Sequence, residues 1–288
     1  MEHMWQLEDF ERDMVALIKK KQRYEDHKWE AAFLYTLKNG GKRFRPQLVS
    51  ACCADLGLDK RIATVIGTAV EIIHTASLIH DDLPSIDNDT MRRGKPTSHV
   101  VYGEAIATIS ADYLFFLGME IILDTLQPEI GTLYAQCAMD TCYGEALDIR
   151  ISLGKENHTI EDLLRMYEMK TGRLIQLSLL APFFMSGVYS SFCSDIWEAG
   201  RRIGLAFQIL DDLKDIYGSF SELGKTPGKD LLQNKPTIVA FEGPEKALER
   251  AYLNWDLAKS ILENGIHGQG FPRLVETIAQ SWEILQKR

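Results

Sequence analysis

Apolar residues recur along this chain at helical spacing. Between Arg61 and Ile79 they fall at Ile62, Val65, Ile66, Ala69, Ile73, Ala76 and Ile79, the i, i+3, i+4 series that gives a helix one buried face. The stretches Arg43–Leu56, Ala105–Leu123, Leu133–Ile149, Ile160–Gly187, Ile196–Tyr217 and Leu248–Leu262 carry the same period, and each predicts a helix. No run of alternating β-branched residues is bounded by hairpin turns. Glycine and proline mark the breaks, at Asn39-Gly40-Gly41, Asp81–Gly94, Gly218–Lys235 and His267–Pro272. Connections this long in a compact helical protein are often functional. No Ser/Gly/Pro-rich or single-charge stretch separates the helices, so one all-α domain spanning 1–288 is expected.

Two readings follow from the apolar lengths. The longest continuous stretches, near Leu114–Leu123 and Leu174–Gly187, are too short or too interrupted for a bilayer, so no membrane span is expected. The charged start, MEHMWQLEDFERDM, has no apolar signal core, which makes a cytoplasmic location the expectation. The five cysteines (Cys52, Cys53, Cys137, Cys142, Cys193) sit in apolar helical patterns without zinc-ligand spacing and read as buried free thiols. Net charge changes the picture more. At −9, the chain is a poor partner for nucleic acid, and if it binds a phosphate ester it needs bound cations to do so.

Two aspartate clusters supply candidate ligands for such cations. In Gln208-Ile209-Leu210-Asp211-Asp212-Leu213-Lys214-Asp215, positions 208, 211 and 215 share one helix face, with Asp212 beside them. Carboxylates presented together repel one another unless a cation intervenes, and hard oxygen ligands of this kind suit Mg2+. The other cluster is Asp81-Asp82-Leu83-Pro84-Ser85-Ile86-Asp87-Asn88-Asp89. Asp81 closes the helix from Arg61, Pro84 discourages its continuation, and Asp87 returns from a loop. Arg92, Arg93 and Lys95 follow at once, a basic group beside an acidic one, which fits a diphosphate held by metal on one side and guanidinium on the other. A single Asp-Asp at a helix end is usually a solvated terminus. Two of them on otherwise apolar helices are hard to read that way.

The motifs GGKRFRP (Gly40–Pro46), HTASLIHDDLPSIDNDTMRRGKPTSH (His74–His99), MKTG (Met169–Gly172), GLAFQILDDLKD (Gly204–Asp215), GKTPGKD (Gly224–Asp230) and KPT (Lys235–Thr237) occur in one order. In that order they resemble the trans-prenyltransferases, the farnesyl and geranylgeranyl diphosphate synthases, over most of the chain. The interval from Asp81 to Asp87 resembles the bacterial and plastid type. The resemblance implies an all-α isoprenoid-synthase bundle of roughly ten or more helices around a central cavity. It also implies a homodimer, and a reaction joining isopentenyl diphosphate head-to-tail to dimethylallyl, geranyl or farnesyl diphosphate.

By the same resemblance Asp81, Asp82, Asp87, Asp211, Asp212 and Asp215 would hold Mg2+, about three ions per site, on the allylic diphosphate. Arg92, Lys170, Lys225 and Lys235 would bind that diphosphate, while Thr171 and Gln208 would border the developing allylic cation. Lys42, Arg45, His74 and Arg93 would bind isopentenyl diphosphate. His74 lies seven residues before Asp81 and therefore on the same helix face.

Thr90 and Glu145 depart from the commonest pattern, which has aspartate and glutamine there; neither is a principal ligand. Product length is tied to Ala76 and Ser77. Ala76 stands about 7.5 Å down the helix from Asp81 at about 1.5 Å per residue, where short-chain bacterial enzymes usually carry an aromatic. Small residues there predict geranylgeranyl diphosphate, with farnesyl diphosphate the alternative should Tyr113, Phe115 or Phe116 set the floor. A class I terpene cyclase would not need the second cationic set, and a non-catalytic partner subunit would be expected to lose aspartates. Gly218–Thr226 has the wrong glycine spacing for a P-loop, and Asp87-Asn88-Asp89 lacks the rest of a calcium loop. His80 and His99 read as structural groups, Lys19-Lys20-Lys21 as a solvated helix face, and the segment after Glu242 as scaffold.

Overall fold

The computed structural model describes residues 5–154, 158–187, 192–217, 236–266 and 268–286. The stretches predicted by the period are helical, and five further helices join them among the described residues. In chain order they are α1 (Leu7–Lys21), α2 (His27–Lys38), α3 (Phe44–Asp55), α4 (Lys60–Asp81), α5 (Ser98–Tyr102), α6 (Glu104–Ile122), α7 (Pro128–Ser152), α8 (Ile160–Tyr167), α9 (Arg173–Ser186), α10 (Cys193–Tyr217), α11 (Ile238–Glu242), α12 (Pro244–Asn264) and α13 (Pro272–Gln286).

Helix α4 is the central element. Asp59 caps its start by accepting from the Arg61 amide at 2.6 Å, and Ile66, Ala69, Ile73 and Ile79 are fully or almost fully buried. It packs against α6, α3 and α9, while α10 packs against α9 and α12. Each of these isoleucines contributes about 1.5–3 kcal/mol when fully removed from water, so the core rests chiefly on α4 and its neighbours. Helices α12 and α13 pack on α10, α3 and each other; Trp255 stacks on Trp282 with ring centroids 4.6 Å apart.

Three local expectations need correction. The loop after Asp81 holds a short antiparallel hairpin, β1 (Met91–Arg92) with β2 (Lys95–Pro96). Its turn residues Arg93 and Gly94 both have positive φ, +54° and +75°, the backbone that a two-residue hairpin turn demands. Second, Ile160–Gly187 is not a single α-helix, because α8 and α9 are joined by the π-helical turn Glu168–Gly172. Third, Lys60–Asp81 and Glu104–Thr125 are each long and apolar enough to cross a bilayer, contrary to the reading from apolar runs. Lys60–Asp81 is 67% buried inside the protein over its most apolar window, which is the behaviour of a core helix. All five cysteines are free, but Cys142 is exposed and not buried.

Candidate active site

A cavity of about 670 Å³ opens between the C-terminal half of α4, the start of α3, the hairpin, α7, the π-turn and α10. Asp81 and Asp87 stand on one wall; Asp211, Asp212 and Asp215 stand on α10 opposite. Asp87 arrives as the spacing predicts, its amide donating to the Asp81 carbonyl at 2.9 Å so that the chain doubles back after Pro84. Burial pushes the Asp81 carboxyl up and Asp87 pushes it further, while Lys170 and Arg92 pull it down. Asp82 stands apart from the other aspartates. It is buried and absent from the cavity wall, accepting instead from Arg92 Nε at 2.7 Å with Nη2 at 2.6 Å. Burial raises its carboxyl to about 6 although Arg92 opposes the shift. Asp82 therefore orients the guanidinium.

Among the described residues no three carboxylate, histidine or cysteine groups converge on a single point to cage a metal. Mg2+ gives up its waters reluctantly and is usually held by one or two carboxylates plus substrate phosphate. Asp81, Asp87, Asp211, Asp212 and Asp215 put hard oxygen donors on the wall of one cavity, and such donors fit that ion.

The π-turn places the next residues. Gly144 of α7 faces its backbone at Lys170, and Gly204 of α10 lies so close that an added Cβ would sit 2.5 Å from Gly172 Cα. Glycines let both helices approach the turn to backbone contact. Lys170 Nζ then reaches Glu145 and Asp148, each at 2.6 Å. Burial lowers the ammonium's affinity for its proton, but Asp148, Asp81 and Glu145 outweigh that and hold it well above the ordinary lysine range. Glu145, raised to about 7 by burial and by Asp81, shares the same pocket. The departure at Glu145 is thus part of the site.

On the other side Thr171 donates to Gln208 Oε1 at 2.6 Å, and Gln208 Nε2 donates to Asp212 Oδ1 at 3.0 Å. Tyr167 also donates to Asp212 Oδ2 while accepting from the Ile238 amide at 3.1 Å. Sequence reading missed Tyr167. Only its position three residues before Lys170, beside the predicted lysine on the helix, pointed to it.

The far end of the cavity is cationic. Lys42, Arg45, His74 and Arg93 line it together, with Arg45 Nη1 3.4 Å from His74 Nε2. Burial lowers the Arg45 guanidinium to about 10, which leaves it charged at neutral pH. Beneath them lies a pair that the motif reading did not single out. Arg43 is buried in left-handed backbone (φ +47°) and bonds Glu71 at 2.6 Å, Glu11 at 2.9 Å and the Leu37 carbonyl. Glu71 also faces Arg93 at 4.0 Å. Gly41, at φ +129°, leaves room that the Arg93 guanidinium fills; a Cβ would meet its central carbon at 2.6 Å.

Burial, then Arg45, Arg93, Arg92 and Arg43, hold His74 well below the ordinary histidine range. A base depressed on folding makes the unfolded chain the better proton acceptor, so stability falls as pH drops through about 6.5. Urea midpoints measured from pH 7 to pH 5 should therefore decline less steeply in His74→Gln than in the parent chain. Equal slopes would mean that His74 does not titrate differently on folding.

Of the expected site residues, Lys42, Arg45, His74, Ser77, Asp81, Asp87, Arg92 and Arg93 line this cavity, as do Lys170, Thr171, Gln208, Asp211, Asp212 and Asp215. Lys225 and Lys235 lie outside the described residues. Of the two residues tied to product length, Ala76 is fully buried and not part of the cavity wall, whereas Ser77 lines it. Of the three aromatic candidates for a floor, Phe115 lines the cavity, Tyr113 packs on Trp29 and Phe33, and Phe116 points outward with 77% of its surface exposed.

The profile of the polyprenyl synthetase family matches residues 26–261. A geranylgeranyl diphosphate synthase of Cyanophora paradoxa is 37% identical over 234 residues, 78% of this chain and 78% of its own. A farnesyl diphosphate synthase of Geobacillus stearothermophilus is 34% identical over 261 residues, 88% of each. Among solved structures, a geranyltransferase from Helicobacter pylori complexed with magnesium and isoprenyl diphosphate superposes with a TM-score of 0.77 at 27% identity, covering 98% of both chains. Family profile, relatives and fold agree with the two facing rows of aspartates, and the chain belongs to the polyprenyl synthetase family of prenyltransferases.

Proposed function

We propose that this chain uses Mg2+, about three ions per site, to join isopentenyl diphosphate to an allylic diphosphate and that its main product is geranylgeranyl diphosphate. The observation that carries the two-substrate reading is the polarity of the cavity. Its aspartate end, where Lys170 and Arg92 intervene, suits a metal-bound diphosphate, and its Lys42, Arg45 and Arg93 end suits a metal-free one.

At the aspartate end, bound Mg2+ supplies Lewis-acid neutralisation of the leaving diphosphate. Lys170 and Arg92 add fixed positive charge at the same oxygens as the allylic C–O bond breaks and its electron pair leaves with the diphosphate. Thr171 turns an oxygen lone pair toward the allylic carbons because its hydrogen is engaged by Gln208. Arg45, Arg93 and Lys42 hold the second substrate so that its C=C electron pair forms the new C–C bond. The resulting cation then loses a proton to the released diphosphate. Neutral His74 adds a hydrogen bond without a further charge. Phe44 stacked on Phe207 at 4.4 Å, together with Leu78, Leu174 and Phe115, walls the reacting carbons from water.

Ser77 supports the longer product, because it is the small residue on the α4 wall one turn below Asp81. Incubation with labelled isopentenyl diphosphate and farnesyl diphosphate should give a C20 product, and Ser77→Phe should return the main product to C15. Absence of any C20 product overturns the length assignment. No incorporation from dimethylallyl, geranyl or farnesyl diphosphate overturns the condensation itself.

Two copies are proposed to pair through the outer face of α6 and α7. Ile106, Ile109 and Phe116 of α6 and Met139 and Tyr143 of α7 are large apolar residues exposed at helical spacing, the kind of side chain that pairing would cover. Light scattering should give twice the chain mass, and Phe116→Glu should halve it; a monomeric parent chain rejects the pairing.

A further inference from the structure

A second cavity, of about 970 Å³, opens at the other end of α4, about 30 Å from Asp81 along the helix. Leu17 of α1, Ile62 and Val65 of α4 and Met185 of α9 make its apolar walls, all half-buried. Leu126 stands on the rim directly after the short 3-10 turn that ends α6, 86% exposed and in left-handed backbone at φ +56°. A leucine held in that conformation is strained and here gains little from burial.

The charges around the cavity run against those of the chain. Lys20, Lys21, Lys60 and Arg61 face Asp13 and Asp124, an excess of two positive charges in a chain of net −9. Both carboxylates are engaged, Asp124 by Lys21 at 2.8 Å and Asp13 by Lys60 at 3.7 Å. Among the described residues, Lys20 and Arg61 have no carboxylate within ion-pair distance. The first-turn amides of Arg61, Ile62 and Ala63 are all engaged by Asp59.

An apolar trough with two uncommitted cations at its rim is complementary to a molecule with an anionic head and a linear apolar tail, and its volume falls in the range of small-ligand sites. We propose that this cavity is a second site for a prenyl diphosphate, remote from the reacting centre, with Lys20 and Arg61 on the diphosphate and the tail along Ile62, Val65 and Met185. The choice of a prenyl tail and diphosphate head rests on the function proposed above; the cavity's preference for an anionic amphiphile does not. Head and tail would be held by different elements, α1 and α4 for the charge and α4 and α9 for the chain.

The test uses the full chain and a geranylgeranyl diphosphate analogue carrying a diazirine at its tail. Irradiation in EDTA suppresses metal-dependent capture in the active cavity, and labelled peptides are then located by mass spectrometry. Label is expected on peptides containing Leu17, Ile62–Val65 or Met185. It should be displaced by unlabelled geranylgeranyl diphosphate and weakened on the order of tenfold in Lys20→Glu/Arg61→Glu, whose isopentenyl incorporation stays at the parent rate. Val65→Trp, which fills the trough and keeps its charges, should abolish it. Label confined to active-cavity peptides, or unmoved by both variants, overturns the proposal. So does displacement by phosphatidylglycerol vesicles but not by geranylgeranyl diphosphate, which would assign the trough to a lipid surface. A chain that labels here yet fails to incorporate isopentenyl diphosphate would refute the proposed reaction and leave this site standing.

Discussion

Asp81→Asn is expected to lower kcat/KM about a thousandfold while leaving the chain folded. The substitution keeps the shape of the side chain and removes only its charge. That charge sits at the end of α4 among Asp87, Lys170 and Arg92, on the wall that faces the α10 carboxylates. Burial and Asp87 both work against the ionised form, so the fold gains nothing from the charge itself. Initial rates with isopentenyl and allylic diphosphates give the activity, and melting in EDTA gives the stability. The midpoint should stay level or rise. A loss under about tenfold would remove Asp81 from the metal-holding set, whose members each carry several kcal/mol of charge stabilisation. A midpoint several degrees lower would show that Asp81 supports the fold instead.

Arg43→Ala should cost stability on a scale unusual for one residue, about 3–5 kcal/mol. Its guanidinium is almost completely enclosed and serves Glu71, Glu11 and a carbonyl at once. Without it Glu71, only 1% exposed, keeps Arg93 at 4.0 Å as its ion partner among the described residues. For a chain of this size each kcal/mol moves the melting midpoint by about 2–4 °C, so a fall of about 10 °C is expected. Arg43→Ala/Glu71→Gln should recover part of it, because the stranded charge is gone. The KM for isopentenyl diphosphate should rise in the single variant as Arg93 is drawn toward Glu71. An unchanged midpoint would show that the pair is dispensable.

Periodicity reveals the helices of this fold because one face of each is buried, and α4 runs as its apolar positions require. The α10 cluster is equally readable, since Gln208, Asp211 and Asp215 depend on helical spacing alone. Legibility ends where backbone departs from regular spacing. The hairpin that aims Arg92 and Arg93 is two residues per strand, too short to alternate, and its signal is the positive-φ Arg93-Gly94 turn. Asp82 appears equivalent to Asp81 as a letter, yet one step of about 100° around the helix turns it to Arg92. The same step carries Ala76 into the core and Ser77 to the wall. Tyr167 carries no charge pattern at all; its role emerges only when Asp212 and the Ile238 amide are brought to it from other parts of the chain.

The wide turn between α8 and α9 amounts to one extra residue wound into an otherwise α-helical stretch. With the same residues wound as regular α-helix, everything beyond Gly172 would turn by about 100° relative to what precedes it; the wide turn absorbs that step. Tyr167 and Thr171 both engage the Gln208–Asp212 pair, whereas Lys170 reaches α7. The surplus residue acts as a phase shifter between α8 and α9, and Gly144 and Gly204 close on it at Lys170 and Gly172.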